Sequence, residues 1–318
     1  MLKTLLGLCS PAGPRARLQI LIFHRVLRSP DPLFPSEIDA RQFDAICGWL
    51  KDWCHVLPLD RATDLLARGE LPPRALAITF DDGYADNHEV ALPILQRHGL
   101  CATFYISTGF LDGGRMWNDA VIESIRACEL PELDLHGSAA AALGLLDLGH
   151  REDVPRRRQA IERAIATAKY LEPGERQDWV AAVVERSGVR LGPGPMMRMD
   201  QVRALHVAGM QIGAHTVSHP ILAGLPRQRA EREIADSKHT LEAVLGAPVT
   251  QFAYPNGKPG QDYSPESVEL VRSLGFSSAV STAWGAARLG EDLFQLPRFT
   301  PWDRTRSRFG LRLVRNLM

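Results

Sequence analysis

The chain has 318 residues, of which 45% are hydrophobic; that suits one large domain or two medium ones with a sizeable core. Lys plus Arg and Asp plus Glu each total 37, so the formal charge is zero and nothing general points to nucleic acid as a partner. No stretch approaches the ~18 uninterrupted apolar residues that a membrane-spanning helix needs.

The opening residues, MLKTLLGLCSPAG, carry one Lys and an apolar run shorter than a secretory leader usually has. There are five cysteines, an odd number with no CxxC pair, so buried free thiols and a cytoplasmic location are expected. Residues 1–16 read as an N-terminal tail. LQILIF (18–23) is the first strand, followed by a helical pattern in ARQFDAICGWLKDW (40–53) that Gly48 mildly interrupts and a weak strand, HVLP, from His55. ALAITF (75–80) is a strand; DNHEVALPILQRHG (86–99) is a helix with a kink or late start at Pro93. CATFYI (101–106) is a strand. From about 115 to 198 no convincing strand appears; SAAAALGLLDLG and RRRQAIERAIATAKYLE read as helices of an insertion, either a lid or groove wall or a packing appendage. MMRMDQVRALHVAG restarts the rhythm. It leads into strand MQIGA (210–214), helix QRAEREIADSKHTLEAVLG (228–246) and strands TQFAY (250–254), FSSAVS (276–281) and FQLPR (294–298). Gly99, Gly246 and Gly275 follow helical stretches, where helix C-caps favour glycine. Alternating strands and helices argue for parallel pairing in an α/β barrel or wound sheet. The tail TRSRFGLRLVRNLM, with Arg304 just before it, mixes five arginines with apolar residues and reads as a helix packed on its own domain or lying on a membrane surface.

Polar groups follow the strands. His24 follows the first; Asp81 and Asp82 follow ALAITF; His215 and His219 follow MQIGA; Pro255, Asn256 and Gly257 follow TQFAY; Arg298 closes FQLPR. In barrels of parallel strands, catalytic groups collect at the strands' C-terminal ends. Two adjacent carboxylates at a buried rim repel unless a cation sits beside one of them; a plain turn at Asp82-Gly83 with Asp81 as a helix cap is the structural alternative. His215 and His219, four apart, are close enough to bind one ion or are two packing histidines. One carboxylate and two imidazoles form a ligand set that leaves positions open for water and substrate.

TFDDGY, HTVSH and FAYPNG, in this order, resemble the NodB-homology polysaccharide deacetylases. The resemblance covers most of the chain. It implies a distorted (β/α)7-8 barrel over residues 17–300, with the 115–198 helical insertion inside it and a basic tail over 301–318. It also implies metal-dependent removal of N-acetyl groups from amino sugars of a polysaccharide. Carried over by position, Asp81 is the general base and Asp82, His215 and His219 hold a divalent metal. The ligand set favours Zn2+, with Co2+, Ni2+ or Fe2+ also compatible. The third motif departs from the family: Ala253 stands where an arginine usually pairs with the base, and Asn256 stands where an aromatic is usual. The amide of Asn256 still suits an oxyanion. The family's late histidine is missing, while LIFHRV places His24 after the first strand. This resembles the rearranged branch that includes poly-N-acetylglucosamine deacetylases and implies His24 as general acid, with Arg298 in place of the missing arginine.

A cytoplasmic enzyme would meet a lipid-linked precursor rather than mature polymer. Two alternatives stand beside the deacetylase: a metal-dependent amide or formamide hydrolase acting on another substrate, and a catalytically inactive carbohydrate-binding protein. Tyr84, Trp302 and the run Trp117, Asn118 and Asp119 are further residues that either face sugar rings or pack.

Overall fold

The structure is a computed structural model that describes residues 2–318. In chain order its elements begin with α1 (Leu2–Cys9), β1 (Arg17–Phe23), α2 (Ala40–Trp53), β2 (His55–Val56), α3 (Leu59–Arg68), β3 (Ala75–Phe80), α4 (Leu92–His98) and β4 (Thr103–Ile106). Then come α5 (Trp117–Ala127), β5 (Glu132–Asp134), β6 (Leu145–Asp147), α6 (Val154–Ala168), α7 (Pro173–Ser187) and α8 (Met199–Val207). The chain closes with β7 (Gln211–Ala214), α9 (Arg227–Leu245), β8 (Gln251–Ala253), α10 (Pro265–Ser273), β9 (Ser278–Val280), β10 (Ala287–Arg288) and α11 (Arg306–Leu317). It divides into two compact units: 1–29, 36–112 and 197–318 form one, and 30–35 with 113–196 form the other.

In the larger unit β1, β3, β4, β7, β8 and β9 pair in parallel in that order. Strands such as β3 are buried along their whole length, as a parallel sheet covered on both faces requires. FQLPR differs from its expectation as a strand. It and the following Phe299 make only isolated parallel bridges, Leu296 with Val280 and Phe299 with Leu21, because Pro297 has no N–H to continue a ladder. Its hydrogen bonds nevertheless reach both sides: the Leu296 amide donates to the Ala279 carbonyl, and the Phe299 amide to the Ile20 carbonyl. The parallel sheet therefore curls until its two ends meet through this segment. Gly213 in β7 is required by that curl, since a Cβ there would collide with the Tyr105 ring of β4.

Helices cover the outside. Asp39 caps α2 by accepting from the Gln42 amide. Its Phe43, Ile46, Cys47 and Leu50 lie in the main core, and Gly48 does not interrupt it. The stretch before Pro93 is a π-turn, Asn87–Ala91, and α4 starts only at Leu92; the missing proline N–H explains the change of winding. Gly99 and Gly246 end α4 and α9 in the left-handed conformation. All five cysteines are free, and burial pushes the Cys47 and Cys54 thiols up to about 12. The basic tail forms α11, whose Phe309, Leu313 and Leu317 are buried in the main core.

The smaller unit has its own core, including Val121, Ile125, Leu133, Leu146, Ile161, Trp179 and Val183. Two readings of this region are corrected. It contains strands, the antiparallel pair β5 and β6, and SAAAALGLLDLG is no helix but a 3-10 turn followed by β6. Gly137, Gly144 and Gly149 all take positive φ, which breaks helical winding. From Leu145 to Leu148 burial alternates, a period of two. Trp117 and Asp119 lie in α5 of this unit. Trp117 is packed against its core, Asp119 is buried, and the Arg176 guanidinium lies 5.1 Å from the Trp117 ring centre.

Candidate active site

The residues singled out from the sequence come from neighbouring strand ends of the larger unit. Asp81 directly follows β3, and its amide donates to the Phe23 carbonyl at the end of β1. Its carboxylate is 3% exposed and is gripped in two places by Arg298, whose Nη1 and Nη2 each stand 2.7 Å from one carboxylate oxygen. That bidentate geometry is the strong form of the ion pair. Arg298, itself 1% exposed, is held in turn: its Nε donates to the Ser281 carbonyl at 2.9 Å, its Nη1 to Thr79 Oγ1 at 3.0 Å, and its guanidinium lies over the Tyr105 ring. Burial alone would raise the Asp81 carboxyl, but the Arg298 guanidinium, then His215 and His24, hold it below its ordinary value.

Asp82 sits at φ +78°, a left-handed turn that Asp tolerates better than most residues. The turn sends it away from Asp81 toward His215 and His219. His215 Nε2 lies 3.5 Å and His219 Nε2 3.4 Å from Asp82 Oδ1, and among the described residues that buried oxygen has no hydrogen-bond partner. All three ligand atoms lie within 4.8 Å of one another. These separations fit a shared cation, because ligands about 2.0–2.1 Å from a tetrahedral ion stand about 3.3–3.4 Å apart. The His215 tautomer fits as well. Its Nδ1 lies 2.7 Å from the Ala253 carbonyl, which can only accept, so Nδ1 carries the proton and the Nε2 lone pair faces Asp82. Burial raises the Asp82 carboxyl, yet the two imidazoles bring it well below the carboxylate range. Burial lowers both imidazoles. For His215 the neighbouring carboxylates overcome this and raise it; His219 stays depressed, at about 4.

Glu233 of α9, which the sequence reading did not single out, organises the HTVSH turn. Its Oε2 accepts from the Val217 and Ser218 amides and its Oε1 from the Ser218 hydroxyl, at 2.7–3.0 Å. Thr216 and His219 both take positive φ, and the His219 amide donates to Thr216 Oγ1. Nothing in the sequence marks Glu233, because it lies fourteen positions beyond His219 on an ordinary charged helix face.

His24 is exposed at the end of β1, close enough to both aspartates for its charge to lower them. Asn87, fully buried, donates to the His24 carbonyl at 2.9 Å. Asp86 pairs with Arg25 at 2.8 Å and accepts from the Val26 amide. The turn after TFDDGY thus pins the loop that carries His24. Tyr84 is 4% exposed, with the Arg25 guanidinium 4.6 Å from its ring centre; it packs rather than offering a face to sugar. Trp302 is exposed. Asn256 takes φ +58°. Its carbonyl accepts from Thr282, and among the described residues its N–H has no hydrogen-bond acceptor.

A family model described as polysaccharide deacetylase matches residues 68–279. YxkH of Bacillus subtilis (strain 168), provisionally named a polysaccharide deacetylase, is 22% identical over 89% of this chain and 71% of its own. Streptococcus pyogenes deacetylase PplD in complex with acetate has a TM-score of 0.62 at 19% identity, covering 95% of this chain and 99% of that one. IcaB from Ammonifex degensii has a TM-score of 0.61, also at 19% identity, over 95% and 98% of the two chains. Both share the fold.

Proposed function

The chain belongs to the polysaccharide deacetylase family, and on that premise we propose that it is a metal-dependent hydrolase that removes N-acetyl groups from amino sugars of a polysaccharide or of its lipid-linked precursor. The observation that carries the proposal is the division of labour between adjacent carboxylates: Asp81 paired to Arg298, Asp82 turned to two imidazoles. Asp82, His215 and His219 would hold the cation. Zn2+ suits this oxygen and nitrogen set, with Co2+, Ni2+ and Fe2+ compatible. A cation there supplies a Lewis acid for the acetamide carbonyl and makes water more acidic.

The remaining chemistry belongs to the chain. Asp81, kept ionised by Arg298, takes the proton of the attacking water. The vacant N–H of Asn256 donates to the oxygen on which negative charge develops. His24, exposed beside the two aspartates, gives a proton to the departing amine, and acetate and the free amino sugar are released. With base, acid and ligand positions all filled, an inactive carbohydrate-binding role has no support from the site. The test is acetate release from an N-acetylglucosamine oligomer by the wild type and by Asp81→Asn. Wild-type turnover in the variant removes Asp81 as base, and formate release from an N-formyl amino sugar with no acetate release from the oligomer moves the protein to another hydrolase class.

A further inference from the structure

The chain is neutral overall, but its charges are not evenly placed. Residues 1–30 contain Lys3, Arg15, Arg17, Arg25 and Arg28 and no acidic residue; residues 304–318 contain Arg304, Arg306, Arg308, Arg312 and Arg315 and again none. The fold brings these two segments together. α1 packs on α11, and Gly310 leaves room for Leu2, whose side chain fills the space a Cβ would need. The Arg17 guanidinium donates to the Leu317 carbonyl, and Asn316 Nδ2 donates to Gln19 Oε1 of β1.

One face of α11 is used up by the core through Phe309, Leu313, Val314 and Leu317. The opposite face reads Arg308, Leu311 and Arg315, spaced as one helical stripe, with Arg304 just before the helix and Met318 at its C-cap continuing the stripe. All five are exposed, Leu311 at 63% and Met318 at 79%. Of the other two arginines, Arg306 pairs with Asp52 and Arg312 with Asp303; the stripe's three make no ion pair among the described residues. Beside it α1 exposes Lys3, Leu5 and Leu8, the last at 76%. Next to Leu8 a cavity of about 310 Å³ is lined by Pro11, Pro14, Arg15, Arg17 and Arg288.

We propose that α1 and α11 form a docking surface for an anionic phospholipid bilayer. Leucines flanked by arginines suit the bilayer interface: the apolar side chains enter the headgroup boundary while the guanidiniums stay at phosphate level. The three-arginine cavity has room for a lipid phosphate. Arg304, Arg308 and Arg315, which make no ion pair among the described residues, also supply the long-range attraction that brings a neutral protein to a negative surface. The carbonyl at the end of α11 meets Arg17 at the start of β1, while Phe299, shortly before the helix, pairs near that strand's other end.

The full chain is tested for co-sedimentation with vesicles of phosphatidylcholine alone and of phosphatidylcholine mixed with phosphatidylglycerol. Binding is expected only to the mixed vesicles and is expected to weaken as salt is raised. Arg308→Glu with Arg315→Glu should reduce partitioning roughly tenfold or more. Leu8→Ser with Leu311→Ser should reduce it at low salt without removing the salt dependence. Unchanged thermal unfolding of each variant shows that the fold survives. Equal binding to both vesicle types, no binding to either, or reversed-charge variants that bind like wild type each overturn the proposal. So does a self-association that the same variants abolish while vesicles are ignored, which would assign the face to a second copy of the chain.

Discussion

Arg298→Met should be the most informative single change. Both partners of the Asp81–Arg298 pair are nearly free of solvent contact, and both bonds measure 2.7 Å. Removing the guanidinium leaves a buried carboxylate without its main counter-charge, and breaking one partner of such a pair costs about 3–5 kcal/mol. Unfolding entropy of about 2.1 cal/mol/K per residue makes this a fall of roughly 5–7 °C in Tm for a chain of this length. Asp81→Asn with Arg298→Met removes both charges, so the double variant should cost less than the sum of the singles by about 1–3 kcal/mol. Thermal unfolding of all four proteins with excess chelator, so that no bound ion masks the effect, gives the cycle directly. Purely additive losses, or an Arg298→Met protein that melts within a degree of wild type, would refute the idea that this ion pair organises the barrel interior. Arg298→Lys keeps the charge but not the fork and should fall between the two.

Glu233→Ala frees the amides of Val217 and Ser218 and should weaken zinc binding about 10–100-fold in chelator competition, the usual effect of losing a group that orients ligands; unchanged affinity means the turn holds itself. Dialysis against chelator should abolish acetate release and re-addition of zinc should restore it, while Asp82→Asn and His215→Gln should each lose stoichiometric zinc by elemental analysis. Asn87→Ala should lower kcat with little change in KM, because it loosens the loop under His24; a rise in KM alone would place its role in substrate binding. Gly213→Ala should destabilise by about 1–3 kcal/mol through overpacking against Tyr105, read as a lower urea midpoint.

Much of this architecture was legible because parallel strands bury both faces. Short apolar runs such as ALAITF stand out, and each is followed by the polar group it delivers to the rim. ALAITF and ARQFDAICGWLKDW match β3 and α2 to the residue. The approach of Asp82 to His215 and His219 was legible too, since each group follows a strand of the same curled parallel sheet, with only β4 between β3 and β7. Less legible was anything decided by backbone φ. SAAAALGLLDLG reads as helical because its alanines and leucines favour helix, yet Gly144 and Gly149 take positive φ and burial from Leu145 to Leu148 alternates with a period of two. FQLPR looked like a strand by composition, but Pro297 prevents a continuous ladder. Glu233, Asp86 and Asn87 left no mark because each holds a backbone group distant in sequence, which side-chain patterns do not encode.

The placement of the guanidinium bears on how such chains are sorted into active and inactive relatives. Related deacetylases are expected to carry an arginine where this one has Ala253. Here that alanine shares a buried cluster with Tyr105, and the Arg298 guanidinium lies over that same ring after arriving from a different part of the chain. Inward-pointing side chains of a closed sheet converge on a common space, so a positive charge can change its point of attachment while its destination hardly moves. Alignment columns register such a change as a loss, whereas a superposition of coordinates registers it as a relocation. A chain without the expected arginine therefore ought to be checked for a substitute from another strand before it is judged inert.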